Sequence, residues 1–316
     1  MRGALQLAPD LFIVGFRAHS DVLLASLIAR ARGVPLIFDP LTSRYEERVI
    51  DRQQVSAGSW LASWYRLTDR AGCLAADRLL LETDAQIDYF VETFGVAREK
   101  CRRLWLGADE TVMRPQPVAG RDSRFTVFFY GRFSPLHGIE HIVDAASVLE
   151  QRGEEVRFLI VGAGQTYASI RERAAQRAVS TLTFMEPVPY ARLAELMSAA
   201  DVCLGTFGTA ARARRVIPYK VFDALAVGRP VITADTPAIR EALTSGTDLL
   251  TCASGDGQAL ADAIATLKHD PSLRERLAAN GHRVFMERFS AEALTSDLAA
   301  IVGELAGGGR AHPVPR

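Results

Sequence analysis

The chain has 316 residues, enough for two domains of ordinary size, and an apolar fraction of 48% supports buried cores. Its 37 basic residues balance its 37 acidic ones, so no global field attracts nucleic acid or acidic lipid. The four cysteines form no C-x-x-C pair, which argues against a zinc site and against a disulfide framework.

Short apolar runs alternate with amphipathic helical stretches, a pattern typical of parallel α/β units. In the first part of the chain we predict strands at 11–15, 35–38, 78–82 and 104–106, and helices at 20–32, 60–76 and 84–94. Two prolines, Pro115 and Pro117, mark 113–122 as an interdomain linker.

The second part repeats the same alternation. We predict strands at 125–130, 156–161, 182–184, 201–204 and 231–233, and helices at 139–151, 169–178, 190–199, 238–243, 258–268, 271–282 and 291–305. The chain therefore divides into a first domain, 1–115, a second domain, 116–290, a C-terminal helix, 291–306, and a disordered tail, 307–316.

The most informative segment is 215–233, where a basic and an acidic residue lie near the start of a further helix. Lys220 and Asp223 are three residues apart, Gly228 ends the helix, and Pro230 opens a buried strand. A helix start offers free N–H groups and a positive dipole end, which suit a phosphate. Because a carboxylate one turn in can take sugar hydroxyls, this segment predicts a nucleotide-sugar site.

The same segment resembles the donor-site helix of the retaining glycosyltransferases of family 4, which have the GT-B fold. Asp223 stands at the second acidic position of the family pattern, and Arg215 stands where the first Glu usually is. Ile217, Pro218 and Lys220 match the branch that reads Ile-Pro-x-Lys. The resemblance implies an α/β protein of two Rossmann-like domains facing a cleft, with the donor site on the second domain and the final helix returning to the first.

A loop after strand 125–130 carries the second set of candidates. Gly131 and Arg132 match the Gly-Arg of the family, and His137 occupies the position of its lysine. The loop follows the carboxyl end of a parallel strand, where α/β folds bind ligands. Arg132 can form two hydrogen bonds to a diphosphate. Alone, the same glycines and proline would also fit a plain turn.

Further donor-binding candidates come from three segments. Gly162 and Gly164 follow strand 156–161, and glycine lets a backbone approach a ligand closely, although many turns use this pair. The resemblance places Glu186 and Val188 beside the nucleotide base. We favour phosphate contact for Lys220 and, less firmly, for Arg215, whereas Arg212 and Arg214 are interpreted as surface residues.

The first domain contributes one catalytic candidate, His19, which the resemblance aligns with a histidine that reaches the transferred sugar. A capping role beside Ser20 is the alternative. With His19, Arg132 and Lys220 form the predicted catalytic set. No Asp-x-Asp occurs in the sequence, so we expect neither a metal nor another cofactor, and only a nucleoside diphosphate sugar as donor.

The resemblance begins partway through the family's first domain, because strand 11–15 matches the fourth strand of that domain. We therefore expect an incomplete first domain with a bare strand edge, from either a truncated reading frame or a natural short form. An oligomer could cover that edge.

The leading hypothesis is a hexosyltransferase that moves sugar, with retention, to a saccharide, lipid-linked or small-molecule acceptor. The alternative is an inactive nucleotide-sugar-binding or scaffold protein. A dinucleotide oxidoreductase is disfavoured, because no Gly-x-Gly-x-x-Gly follows the first strand of this chain. A nucleotide-sugar epimerase would need two catalytic carboxylates, and Glu186 and Asp223 are the nearest candidates. We expect a cytoplasmic protein that does not bind nucleic acid. Trp60 and Trp64, near Arg66 and Arg70, suggest core packing or peripheral contact with the inner face of the membrane.

Overall fold

The structure, a computed structural model, describes residues 9–16, 18–117 and 124–307. Two compact units share these residues: the first runs to Trp105 and resumes at Leu294, and the second is Leu106–Ala293. The described residues of each unit form a parallel sheet flanked by helices, which confirms the predicted α/β class.

Among its described residues, the first unit contains four strands in the order β1-β2-β3-β4, all parallel. Its elements are β1 (Phe12–Val14), α1 (Asp21–Arg32), β2 (Leu36–Phe38), a π-helical segment (Glu46–Asp51), α2 (Trp60–Ala75), β3 (Arg78–Leu81), α3 (Asp84–Phe94), a 3₁₀ turn (Arg98–Lys100) and β4 (Cys101–Arg103). Strand β1 ends the sheet order, and its Ile13 side chain is 51% exposed.

Alternating side chains of the central strands supply two apolar layers in the first unit. Phe38 and Leu79 pack with helices α1 and α3, whereas Ile37 and Leu80 pack with Ile301 of the last helix, α11 (Ala291–Gly307). Because successive residues of a strand point to opposite faces, the two layers lie on opposite sides of the sheet.

The predicted strand at 104–106 is wrong by three residues. The chain instead pairs Cys101, Arg102 and Arg103 with β3, and Leu104 donates one last hydrogen bond to the carbonyl of Leu81. The apolar Leu-Trp-Leu run drew the prediction, but the pairing with β3 ends at Arg103, whose guanidinium stacks on the Trp105 ring, 4.5 Å from the centroid.

In the part of the second unit that the structure describes, six parallel strands follow the order β10-β9-β8-β5-β6-β7. Its elements are β5 (Phe125–Tyr130), a 3₁₀ turn (Pro135–His137), α4 (Ile139–Gln151), β6 (Val156–Val161), α5 (Tyr167–Gln176), β7 (Leu182–Met185), α6 (Tyr190–Ala199), β8 (Val202–Leu204), a 3₁₀ turn (Ala211–Arg214), α7 (Tyr219–Ala226), β9 (Val231–Ala234), α8 (Pro237–Ala242), β10 (Leu250–Cys252), α9 (Gly257–His269) and α10 (Pro271–Arg288). The sequence did not predict β10, which is three residues long with the polar Thr251 at its centre.

The division between the units falls at Trp105, earlier than the predicted boundary at 115. Residues after it join the second unit because Met113 is buried and the Glu110 carboxylate accepts a hydrogen bond from the Ala291 N–H at 2.9 Å. The predicted linker at 113–122 is described only as far as residue 117, and the predicted tail at 307–316 only at Gly307. Within the described ranges, no helix is long and apolar enough to cross a bilayer.

Candidate functional site

Two glycine-containing loops meet at the carboxyl ends of strands β5 and β6. Strand pairing places Tyr130 opposite Val161, and the Gly131 N–H donates to the Val161 carbonyl at 2.9 Å. Gly162, with φ 143°, packs so closely that an added Cβ would lie 2.0 Å from the Gly131 carbonyl oxygen. Gly164 likewise has φ 151°, and its Cβ would lie 2.6 Å from the Phe133 carbonyl oxygen. Glycine is therefore required where the two backbones touch.

Lys220 is a charged residue that lies buried in the second unit. It lies in the first turn of α7, is 5% exposed, and holds its Nζ 4.6 Å from the centroid of the Phe129 ring. Its Nζ would lie 3.0 Å from a Cβ added at Gly131, so it faces the loop that follows β5. Burial lowers the pKa of Lys220 to about 7, against the opposing effect of the Asp223 charge.

His137 lies in the same loop, with its Nδ1 against the Arg132 carbonyl oxygen. Because a carbonyl oxygen only accepts, Nδ1 carries the proton in the neutral ring. Burial lowers the pKa of His137 well below its ordinary value, and the positive charges of Lys220, Arg212 and Arg132 lower it further. Arg212, interpreted from the sequence as a surface residue, is therefore part of this cationic cluster.

Asp223 is covered by two tyrosines. Its side chain is 1% exposed; the Tyr190 hydroxyl donates to Oδ1 at 2.7 Å, and the Tyr130 hydroxyl donates to Oδ2. Burial raises the pKa of the carboxyl, while the two hydroxyl hydrogen bonds and the Lys220 charge act in the opposite direction. Each oxygen thus already accepts one tyrosine hydroxyl, and the predicted contact of this carboxylate with sugar hydroxyls stays a prediction.

A cavity of about 290 Å³ opens beside the two loops. It is lined by Tyr130, Gly131, Arg132, Val161, Gly162, Ala163, Pro187, Val188 and Leu193. Four of the predicted donor-side residues thus line one cavity: Gly131, Arg132, Gly162 and Val188. Its apolar wall and exposed guanidinium suit a flat ring with a charged substituent.

Other predicted residues lie outside that lining. Glu186 is exposed, and Arg215 is half-buried after the 3₁₀ turn that precedes α7. Gly164 shapes the loop rather than the cavity wall. Tyr130 was not among the site candidates drawn from the sequence, which placed it only at the end of strand 125–130.

His19 is 2% exposed in the first unit. Its Nε2 donates to the Thr42 carbonyl oxygen at 2.8 Å, and its ring meets the Phe38 ring edge-on with centroids 5.5 Å apart. Burial lowers the pKa of His19. The buried ring therefore fixes the chain around Thr42 in this structure, and its contact with a transferred sugar stays a prediction.

A family model described as "Glycosyl transferases group 1" matches residues 124–270. The chain is 25% identical over 302 residues to an alpha-D-kanosaminyltransferase of Streptomyces kanamyceticus, covering 88% of this chain and 73% of that protein. It is 30% identical over 258 residues to a D-inositol 3-phosphate glycosyltransferase of Nocardia farcinica, covering 73% of this chain and 54% of the relative. The chain thus spans about half the length of the Nocardia protein.

Solved structures of similar fold support the two-domain architecture. The Anabaena protein HepE in complex with UDP-glucose matches 93% of this chain and 79% of its own, with TM-score 0.76 and 17% identity. The sucrose-phosphate synthase of Thermosynechococcus elongatus matches 97% of this chain and 76% of its own, with TM-score 0.76 and 18% identity. The predicted fold of two parallel-sheet domains, GT-B, is confirmed.

Proposed function

We propose that this chain, a glycosyltransferase whose residues 124–270 match the group 1 family, transfers a sugar from a nucleoside diphosphate to an acceptor hydroxyl with retention of configuration. The observation that carries the donor assignment is Lys220. A buried ammonium without a hydrogen-bond partner among the described residues is costly to hold, and a bound diphosphate would supply the missing negative charge.

The cationic cluster would stabilise the departing diphosphate. Arg132 belongs to the loop after β5 that the Lys220 Nζ faces, and the start of α7 adds its positive dipole end. A bound dianion raises the pKa values of Lys220 and His137, so both groups gain positive charge when the donor binds. Because these groups meet the diphosphate charge themselves, the reaction proposed here needs no metal, and activity in the presence of EDTA tests this point.

Retention of the anomeric configuration is proposed from the resemblance to family 4 and from the surroundings of Asp223 in the second unit. Asp223, the carboxylate nearest the cluster, is covered by tyrosine hydroxyls and is poorly placed to act as a nucleophile. The leaving diphosphate would instead take the proton of the acceptor hydroxyl on the same face of the sugar. An α-linked product from an α-linked donor, detected by NMR, is the expected outcome.

The acceptor is proposed to be a saccharide, a lipid-linked saccharide or a small polyol, in keeping with relatives named for inositol phosphate and phosphatidyl-myo-inositol. The inactive binding protein, the alternative drawn from the sequence, is not favoured by relatives that are named as transferases. A cytoplasmic location with peripheral membrane contact stays a prediction.

Calorimetric titration with UDP, GDP, ADP and their sugars tests the donor site. We expect one diphosphate to bind, and Lys220→Met to weaken it by about 10- to 150-fold, the range for hydrogen bonds to charged groups. The matched control is Lys268→Met, because Lys268 pairs with Glu154 away from the cavity. Equal affinity of wild type and Lys220→Met would contradict the assignment.

A further inference from the structure

Helix α2 of the first unit has one face fixed by polar contacts and tight packing. Asp69, 2% exposed, accepts hydrogen bonds from the Ser43 hydroxyl at 2.7 Å and from the Tyr45 N–H at 2.9 Å. Gly72 packs so closely that an added Cβ would lie 2.7 Å from Val22 Cγ1. These contacts fix the rotation of the helix about its axis, so the opposite face is held toward solvent.

That opposite face carries large apolar side chains. Trp60 is 78% exposed, Trp64 53%, Leu67 59% and Leu74 41%. Their spacing of four, three and seven residues places them on one stripe, roughly 21 Å long at 1.5 Å per residue. We refer to Trp60, Trp64, Leu67 and Leu74 as the apolar ridge. A contiguous exposed surface of this kind marks an interaction site rather than a solvated helix.

The exposed charges of helix α2 have one sign. Arg66 and Arg70 are the exposed charged residues of α2, and its one carboxylate, Asp69, is buried and hydrogen-bonded. The Arg48 guanidinium lies 6.0 Å from the centroid of the Tyr65 ring, whereas Arg44 pairs with Asp69 at 3.4 Å and adds no net charge. The ridge is therefore bordered by positive charge although the whole chain is neutral.

We propose that the apolar ridge docks on a bilayer that contains anionic lipids. Tryptophan and leucine would enter the boundary between headgroups and acyl chains, as in interfacial amphipathic helices, while Arg66 and Arg70 contact lipid phosphates. A symmetric dimer through the ridge is disfavoured, because it would bring the arginines of two copies together. All residues of this surface belong to the first unit, so the proposal stands independently of the donor site.

Vesicle binding by the full chain tests this proposal. Vesicles of phosphatidylcholine alone are compared with equimolar phosphatidylcholine and phosphatidylglycerol, by co-sedimentation and by tryptophan fluorescence. Of the three tryptophans, Trp60 and Trp64 lie on the ridge, and Trp105 is 7% exposed. We expect binding to the anionic vesicles with a blue shift of the emission, and at least tenfold weaker binding to the neutral ones.

Variants separate the contribution of the tryptophans to vesicle binding from that of the arginines. Trp60→Ser with Trp64→Ser should lose at least tenfold in binding, and Arg66→Gln with Arg70→Gln about 30-fold, since each basic residue near an anionic surface contributes about fivefold. The matched control is Met286→Ser, which removes a 49% exposed apolar side chain from α10 and should bind as wild type does. All substituted side chains are exposed, and thermal melts verify the folds.

Three results would overturn the proposal. They are equal binding of wild type and the double tryptophan variant, equal binding to neutral and anionic vesicles, and a dimer in light scattering that the double tryptophan variant dissociates. The last result would make the ridge a contact between copies of this chain.

Discussion

Replacing Lys220 with methionine should make the protein more stable while it loses its donor. The lysine is 5% exposed and packs on the Phe129 ring, so a side chain of similar length without a charge fits the same space. Burial lowers the pKa of this ammonium from an ordinary 10.5 to about 7. The folded protein therefore holds a group that binds protons less well than it does in the unfolded chain.

The destabilisation of the fold by the buried Lys220 ammonium depends on pH. Between pH 7 and 10.5 the unfolded chain binds more protons at this residue than the folded chain, so stability rises with pH across that window. Since a tenfold change in proton affinity corresponds to about 1.4 kcal/mol, the buried ammonium destabilises the fold by roughly 4 kcal/mol at pH 7 and by less than about 1 kcal/mol at pH 10.

Urea unfolding of wild type and Lys220→Met at both pH values measures this contribution. The variant should exceed the wild type by several kcal/mol at pH 7, and the difference should shrink by about 3 kcal/mol at pH 10. Lys268→Met, which removes the pair with Glu154, should be no more stable than wild type at pH 7. A stability difference for Lys220→Met that does not change with pH would refute the reasoning.

At pH 8, binding of the nucleoside diphosphate should take up close to one proton at Lys220, and calorimetry in two buffers of different ionisation enthalpy measures it; zero uptake would show that the lysine is charged before binding. Gly162→Ala should lose both stability and donor affinity, because its Cβ would lie 2.0 Å from a facing carbonyl oxygen, whereas Gly58→Ala, in open space, should stay within about 0.5 kcal/mol in urea unfolding. Tyr190→Phe should destabilise by about 1–3 kcal/mol, since it removes a hydrogen bond to the Asp223 carboxylate, and unchanged unfolding would contradict that contact. A 2′-deoxynucleoside diphosphate should bind within about threefold of its ribose form, because Asp223 is 1% exposed beneath its two tyrosine partners and a ribose hydroxyl has little access to it; a tenfold loss would show that the carboxylate reaches the ribose.

Residues at the helix ends explain why some helices were predicted with the correct first and last residues. The helix Asp84–Phe94 begins after Thr83, whose hydroxyl accepts from the Gln86 N–H, and ends at Gly95 in the left-handed region. The helices at 139–151 and 190–199 also match. Strand β10 was missed because Thr251 and the polar residues around it have no apolar alternation, and its place is set by pairing with β9.

The cationic part of the site could be predicted for a related reason. Loops that follow neighbouring parallel strands share one edge of a sheet, so Arg132, His137 and Gly162 had to lie close together once β5 and β6 were identified. The depth at which Lys220 lies could not be inferred, because it results from the packing of α7 on the strands behind it.

The tyrosine pair around Asp223 is the part of the site that depends most on long-range packing. Tyr130 and Tyr190 are 93 and 33 residues from the aspartate in sequence, and no local pattern links the three. A ligand gains most where protein groups lack partners, and it gains little where it replaces a hydrogen bond that already exists. Lys220 lacks such a partner and Asp223 does not, so affinity at this site should be concentrated on the diphosphate. Discrimination between bases must then come from the shape of the cavity beside Arg132 rather than from the acidic residue of α7.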